Sequence, residues 1–102
     1  MKGRFICGTG SAVPENCLTN HDLTLMVDTS DEWITTRTGI KNRYIAKDET
    51  TVALAAKAAG KALENSGINP EELGFLIAAT FTPDNFTPSV ASMVQRELGL
   101  NH

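Results

Sequence analysis

Two stretches in the second half of the chain carry apolar residues at helical spacing. The alanine-rich stretch 51–65 consists of good helix formers, and Gly67 is a suitable C-terminal stop. The stretch 88–98 repeats the spacing and is followed by Gly99. Its expected inward positions are Val90, Ala91, Val94 and Leu98. Both patterns predict helices, and the small side chains of the first predict close packing against a neighbouring element.

Two other apolar stretches lack helical spacing and predict strands. Residues 4–8 predict a short strand that runs into a glycine turn closed by Pro14. Residues 73–80 are apolar on both alternating faces, as in a parallel strand covered on both sides. The order helix, strand, helix predicts an α/β fold with a parallel sheet. Because no strand follows the last helix, we expect the sheet to be incomplete and residues 1–102 to be part of a larger domain.

A short helix is predicted around the single tryptophan. Ser30 is a suitable N-cap, acidic residues follow it, and Gly39 suits the C-terminus. Trp33 and Arg37 are four residues apart and share a helix face, and Thr29 lies four residues before the tryptophan, at the mouth of that face. The indole can stack on an adenine, and the guanidinium can stack or donate to a phosphate. A surface cation–π pair without a ligand is the alternative, and the residues alone leave both open.

Weaker patterns lie on either side of this helix. The polar pair at positions 19 and 20 can cap a short helix, and residues 40–46 predict an edge strand. Cys7 is expected to be buried in the strand 4–8, and Cys17 to lie in a loop. Neither has a metal-ligand spacing or a catalytic partner around it, so the residues predict no metal site, no cofactor and no catalytic set in this chain.

Composition narrows the classes of function. The net charge is −3 and Lys and Arg form no run, which argues against a nucleic-acid-binding surface. No apolar stretch approaches the roughly 20 residues of a membrane span. Two cysteines suit a reducing compartment better than a disulfide framework, and we expect a cytoplasmic protein.

Several segments, taken in order, carry a family resemblance. They are GTGSAVPEN, TNHDL, VDTSDEWITTRTGIKNRYIA, the alanine-rich helix, LIAATFTPDNFTPS and VQRELGL. Together they resemble the N-terminal part of β-ketoacyl-acyl carrier protein synthase III, a family of thiolase-fold condensing enzymes. The resemblance implies the N-terminal portion of a thiolase-like fold, layered α-β-α-β-α in the full-length family. It also implies a homodimer that condenses an acyl-CoA primer with malonyl-acyl carrier protein, losing carbon dioxide, at the start of fatty-acid synthesis.

The same resemblance assigns roles to four residues. Trp33 is expected to stack on the CoA adenine, Thr29 to hydrogen-bond to the base, and Arg37 to serve the adenine and phosphate end. Thr87 is expected to reach the partner's acyl pocket from a loop at the dimer interface and so limit primer length. Its alternative role is a turn residue that caps the helix from Pro88.

The catalytic residues of the family are not among those that match. Its cysteine, histidine and asparagine are expected beyond this chain, which is therefore expected to be inactive alone. Two other functions stay open: a related condensing enzyme of specialised ketide synthesis, and a non-catalytic domain that binds CoA or a partner.

Overall fold

The computed structural model describes residues 3–101, which fall into two compact units. Unit 1 contains the residues up to Ala12 and those from Glu49 onward, and unit 2 is Val13–Asp48. The elements are β1 (Cys17–Thr19), α1 (Asn20–Thr24), α2 (Asp31–Thr38), β2 (Asn42–Tyr44), α3 (Thr51–Ser66), a 3-10 turn (Pro70–Glu72) and α4 (Val90–Glu97). That residues 1–102 belong to one larger domain stays a prediction.

Unit 2 contains a two-stranded antiparallel sheet. β1 pairs with β2 so that Cys17 lies opposite Tyr44. Thr19 ends β1 and caps α1, because its hydroxyl accepts from the Asp22 N–H while the Asp22 carboxylate accepts from the Thr19 N–H. The predicted cap and edge strand are confirmed. The prediction that Cys17 lies in a loop is wrong. Cys17 belongs to β1, and this strand forms because it pairs with residues about 25 positions later in the chain.

The helix around Trp33 has the predicted boundaries. The Ser30 hydroxyl accepts from the Trp33 N–H at 3.1 Å, which caps the N-terminus. Gly39 adopts φ 72° and donates its N–H to the Thr35 carbonyl at 2.8 Å, which ends the helix in the left-handed conformation that glycine favours. Ile34 is buried, and it anchors the inner side of α2.

The core of unit 1 lies between α3 and α4. It is formed by Val52, Val90 and Val94, which are all buried. Partly buried apolar residues that pack against it are Ala55, Ala56, Ala59, Leu76, Met93 and Leu98. Both predicted helices are confirmed, although α4 is shorter than 88–98 because Ser89 is its N-cap.

A glycine-containing segment packs closely against the C-terminal half of α3. A Cβ atom on Gly8 would lie 2.6 Å from the Ala62 carbonyl oxygen and 2.7 Å from the Ser66 nitrogen. The Asn65 amide donates to the Thr9 carbonyl at 2.8 Å, which fastens the segment to the helix. The small residues of α3 therefore permit the close packing that the sequence predicts.

The two strands predicted in unit 1 are wrong. Residues 4–8 and 73–80 have no strand assignment, because a strand needs a hydrogen-bonded neighbour and the described residues supply none. Leu76 still packs against the valine core, while its two neighbours along the segment are largely exposed. The exposed apolar side chains of both stretches include Phe5, Ile6, Phe75 and Ile77. Cys7 is exposed too, so its predicted burial is wrong.

Candidate functional site

The predicted Trp–Arg face is present on α2. The guanidinium carbon of Arg37 lies over the Trp33 ring, 4.9 Å from its centroid, and 53% of Trp33 is exposed. Such a contact contributes about 0.5–1 kcal/mol at an exposed site. Because the two groups already touch, no second ring fits between them. A flat ligand would have to stack on the indole face that Arg37 leaves open.

Two shallow hollows adjoin Trp33. One, of about 320 Å³, is lined by Asp28, Thr29, Ser30 and Trp33. The other, of about 360 Å³, is lined by Ser30, Glu32, Trp33, Thr36 and Arg37. Both lie at the lower end of the range for small-molecule sites, roughly 300–1,000 Å³. Thr29 precedes the N-cap and is not part of the helix face, yet it adjoins the same tryptophan as Arg37 does.

Asn20 organises the inner side of this region. The side chain is 2% exposed, and its amide nitrogen donates to an Asp31 carboxylate oxygen at 2.7 Å and to the Ile40 carbonyl at 2.8 Å. The amide oxygen accepts from Arg43 at 2.6 Å. Sequence reasoning gave Asn20 only a share in capping α1, and no local pattern reveals contacts with residues 11 to 23 positions away.

The Asp31 carboxylate is stabilised in its charged form. Hydrogen bonds from the Asn20 amide and, to a smaller extent, the Thr35 hydroxyl hold the pKa of Asp31 below its ordinary value. Lys41 adds a weaker attraction that lowers the pKa in the same direction. A carboxyl group whose pKa is lowered by folding stabilises the fold above its ordinary pKa, and this contribution disappears as the pH falls through the lowered value.

We therefore expect Asp31→Asn to flatten the acid side of the stability profile. The wild-type chain should lose stability as the pH falls below about 4, where an unperturbed aspartate is already about half protonated. The variant keeps an oxygen that accepts from Asn20 but has no carboxyl group to titrate. Urea unfolding between pH 7 and pH 2, followed by Trp33 fluorescence, measures the difference. The control is Asp28→Asn, which leaves the Asn20 contacts intact, and equal slopes for wild type and Asp31→Asn would contradict the expectation.

Thr87 lies in unit 1, in the exposed loop before α4. It precedes Pro88 through a cis peptide bond. The hydroxyl that caps α4 belongs to Ser89, which accepts from the Ser92 N–H at 3.2 Å. The alternative in which Thr87 caps this helix is therefore wrong, and its role in an acyl pocket stays a prediction.

The loop that carries Thr87 is fastened at its start. The Asp84 carboxylate accepts from the backbone N–H groups of Thr51 and Val52, at 3.0 and 2.8 Å. The Thr51 hydroxyl donates to the Thr82 carbonyl at 3.0 Å. An acidic side chain thus satisfies free N–H groups at the positive end of α3 and ties the loop to it.

Neither cysteine is built into a reactive cluster. Cys7 and Cys17 are free and exposed. Residues 3–101 contain no group of three or more His, Cys, Asp or Glu side chains that could hold a metal ion. Among the same residues, no helix is long and apolar enough to cross a membrane.

Comparison with known proteins identifies relatives along nearly the whole chain. No protein-family model matches it. The chain is 56% identical over 99 residues to β-ketoacyl-[acyl-carrier-protein] synthase III of Clostridium acetobutylicum, covering 97% of this chain and 30% of that protein. The structure of 3-oxoacyl-[acyl-carrier-protein] synthase III from Aquifex aeolicus matches with a TM-score of 0.91 at 54% identity, over 97% of this chain and 32% of the other.

A polyketide enzyme shares the fold. The priming β-ketosynthase of the R1128 polyketide biosynthetic pathway matches with a TM-score of 0.87 at 35% identity, over 94% of this chain and 29% of the other. The chain spans about 30% of the length of the curated relatives it matches. In sequence and in fold, the chain corresponds to a portion of a β-ketoacyl-[acyl-carrier-protein] synthase III and of its thiolase-like architecture.

Proposed function

We propose that the chain is the part of a 3-oxoacyl-acyl carrier protein synthase III that holds the adenine end of acyl-CoA. The complete enzyme would be a cytoplasmic homodimer that condenses an acyl-CoA primer with malonyl-acyl carrier protein, with loss of carbon dioxide. The identity to synthase III relatives supports this assignment of the parent. The accessible Trp33 ring, covered on one side by Arg37, is the observation that carries the proposed role of the chain itself.

Three side chains would divide the recognition of the ligand. The open face of Trp33 would stack on the adenine, which removes apolar ring surface from water. The Thr29 hydroxyl, a donor and an acceptor, would bind an edge of the base from the adjoining hollow. Arg37 would donate to a phosphate while remaining against the indole, and a planar guanidinium suits both tasks.

The condensation chemistry would come from residues outside the chain. The proposed reaction needs a cysteine thiolate that takes the acyl group, together with a histidine and an asparagine. Cys7 and Cys17 are exposed free thiols, and neither would serve as the nucleophile. The chain alone is therefore proposed to bind CoA without forming an acyl-enzyme.

A pair of ligands tests the proposed role. CoA and pantetheine share the thiol arm, but only CoA carries the adenine nucleotide. Titration of the chain with CoA should quench the fluorescence of Trp33, its single tryptophan, whereas pantetheine at equal concentration should leave the emission unchanged. Equal responses to both ligands would show that the adenine does not stack on Trp33.

Thr87→Phe in the complete enzyme should shorten the range of accepted primers. If Thr87 lies at the floor of the partner's acyl pocket, an added ring overlaps the end of a long chain, and overpacking costs about 1–3 kcal/mol. Acetyl-CoA does not reach that depth. The ratio of kcat/KM for a long acyl-CoA to that for acetyl-CoA should therefore fall about 5- to 150-fold.

Thr82→Phe is the matched control for this change, because it adds the same ring to the same loop. An unchanged ratio in a folded, dimeric Thr87→Phe enzyme would remove Thr87 from the acyl pocket.

A related condensing enzyme of specialised ketide synthesis is the second candidate. The match to a polyketide priming β-ketosynthase favours it, although the identity of 35% is lower than the 54% to the Aquifex aeolicus synthase. The test is the acceptor that the complete enzyme uses. Condensation with malonyl-acyl carrier protein of the fatty-acid system supports the first proposal, and use of a pathway-specific carrier alone supports the second.

A further inference from the structure

The two sides of α2 carry different groups. Asp31 and Thr35 lie on the side that faces Asn20, with amide-to-oxygen distances of 2.7 and 3.3 Å. Trp33 and Arg37 each follow those residues by two positions, which is about 200° around a helix. The ligand-facing pair therefore lies almost opposite the pair that contacts Asn20, and any rotation of the helix about its axis redirects both.

The apolar packing of α2 is too small to fix the helix by itself. The helix has eight residues, and within it, all of it described, Ile34 alone is buried. Helices this short are marginal in water without tertiary contacts. The rotation of α2 therefore depends to a large degree on polar contacts, and Asn20 supplies them from inside.

Asn20 reaches both ends of the helix at once. Its amide nitrogen donates to Asp31, the first residue of α2, and to the carbonyl of Ile40, which follows the terminating glycine. Two short bonds from one rigid amide fix the distance and the direction between the two ends.

The amide itself is held by β2. Arg43 donates through one guanidinium nitrogen to the Asn20 oxygen at 2.6 Å and through the other to the Leu18 carbonyl at 3.2 Å. The backbone N–H of Asn20 donates to the Lys41 carbonyl at 3.0 Å. The small sheet thus fixes Asn20, and Asn20 fixes α2.

We propose that Asn20 is the positioning residue of the CoA-binding face. It acts through Asp31 and Ile40 to set the rotation of α2, and so presents the open side of Trp33 to the adenine. The identity of the ligand rests on the proposed function above, whereas the control of Trp33 by Asn20 can be measured without any ligand. Preorganisation of this kind increases affinity because the ligand does not have to order the site.

The first measurement uses the ligand-free chain. The variant Asn20→Ala removes both donors and the acceptor for Arg43, and the control is Asn42→Ala, an exposed asparagine in β2. Time-resolved fluorescence anisotropy of Trp33 should show a larger amplitude of fast motion in Asn20→Ala and no change in the control. Helical content by circular dichroism confirms that the variants compared are folded.

The second measurement is the dissociation constant for CoA. Asn20→Ala should weaken binding about tenfold, and Asn42→Ala should leave it unchanged. In a Trp33→Ala background, the further effect of Asn20→Ala should be clearly less than tenfold, because the helix then positions Arg37 but no longer the indole.

A further pair of variants keeps the proposal testable if Asn20→Ala does not fold. Asp31 is an exposed residue, and its carboxylate accepts from Asn20 at the start of α2. Asp31→Ala removes this acceptor and should weaken CoA binding several-fold. Asp31→Asn retains an oxygen that can accept from Asn20, and it should restore most of the affinity.

The outcomes separate the two proposals. If Trp33→Ala weakens CoA binding while folded Asn20→Ala and Asp31→Ala do not, the positioning role is overturned and the proposed function stands. Unchanged Trp33 anisotropy in the folded variants overturns the positioning role without reference to CoA. If Trp33→Ala itself leaves CoA binding unchanged, the proposed function fails, and with it the ligand-directed role of Asn20.

Discussion

Gly8→Ala should destabilise unit 1 by about 3 kcal/mol, the upper end of the usual cost of overpacking. The added Cβ would lie 2.6 Å from the Ala62 carbonyl oxygen and 2.7 Å from the Ser66 nitrogen. Both are backbone atoms of α3, so no side-chain rotation can relieve the contact. The segment would have to move away from the helix and break the bond between Thr9 and Asn65.

Urea unfolding followed by circular dichroism measures this effect, because α3 is the longest helix among the described residues. Gly74→Ala is the matched control. A Cβ on Gly74 would meet no atom within 4 Å, and the same substitution should change stability by less than about 1 kcal/mol. Similar unfolding midpoints for Gly8→Ala and wild type would contradict the close packing.

Trp33→Ala in the complete enzyme should raise the KM for acyl-CoA about 5- to 150-fold with a small change in kcat. This corresponds to a stacking platform of about 1–3 kcal/mol, by analogy with bases stacked on aromatic side chains in nucleic-acid sites. The contact is remote from the reacting thioester, so it contributes equally to the ground state and the transition state. Arg37→Ala should act in the same direction, since hydrogen bonds to charged groups contribute about 1.5–3 kcal/mol.

Tyr44→Ala is the control for this pair. It removes another partly exposed aromatic side chain of unit 2, from β2 rather than from the proposed site. Its KM should equal that of the wild type. A fall in kcat with an unchanged KM in Trp33→Ala would contradict a role in binding CoA.

The helices could be predicted because their signals are local. Ser30 and Gly39 mark the ends of α2 by hydrogen bonds within one turn, and Gly67 does the same for α3. The strands at 4–8 and 73–80 could not be established in the same way. A strand requires a partner from elsewhere in the chain, and an apolar stretch does not show whether that partner is present.

The same distinction between local and tertiary contacts applies to the candidate site. The Trp33–Arg37 contact follows from a spacing of four residues on one helix, so the sequence predicts it. The hydrogen bonds of the Asn20 side chain join residues from α1, α2 and β2, and each of these bonds depends on tertiary structure. The role of the buried Asn20 amide therefore follows from the folded structure and not from the local sequence.

A truncated substrate tests the central claim most directly. In the complete enzyme, acetyl-CoA carries the adenine nucleotide and acetyl-pantetheine lacks it, while both present the same thioester. If the adenine stacks on Trp33, Trp33→Ala should lower kcat/KM about 5- to 150-fold for acetyl-CoA and leave the value for acetyl-pantetheine unchanged. Equal losses for the two substrates would mean that Trp33 serves the fold or the thioester end, and the proposed CoA-binding face would be wrong.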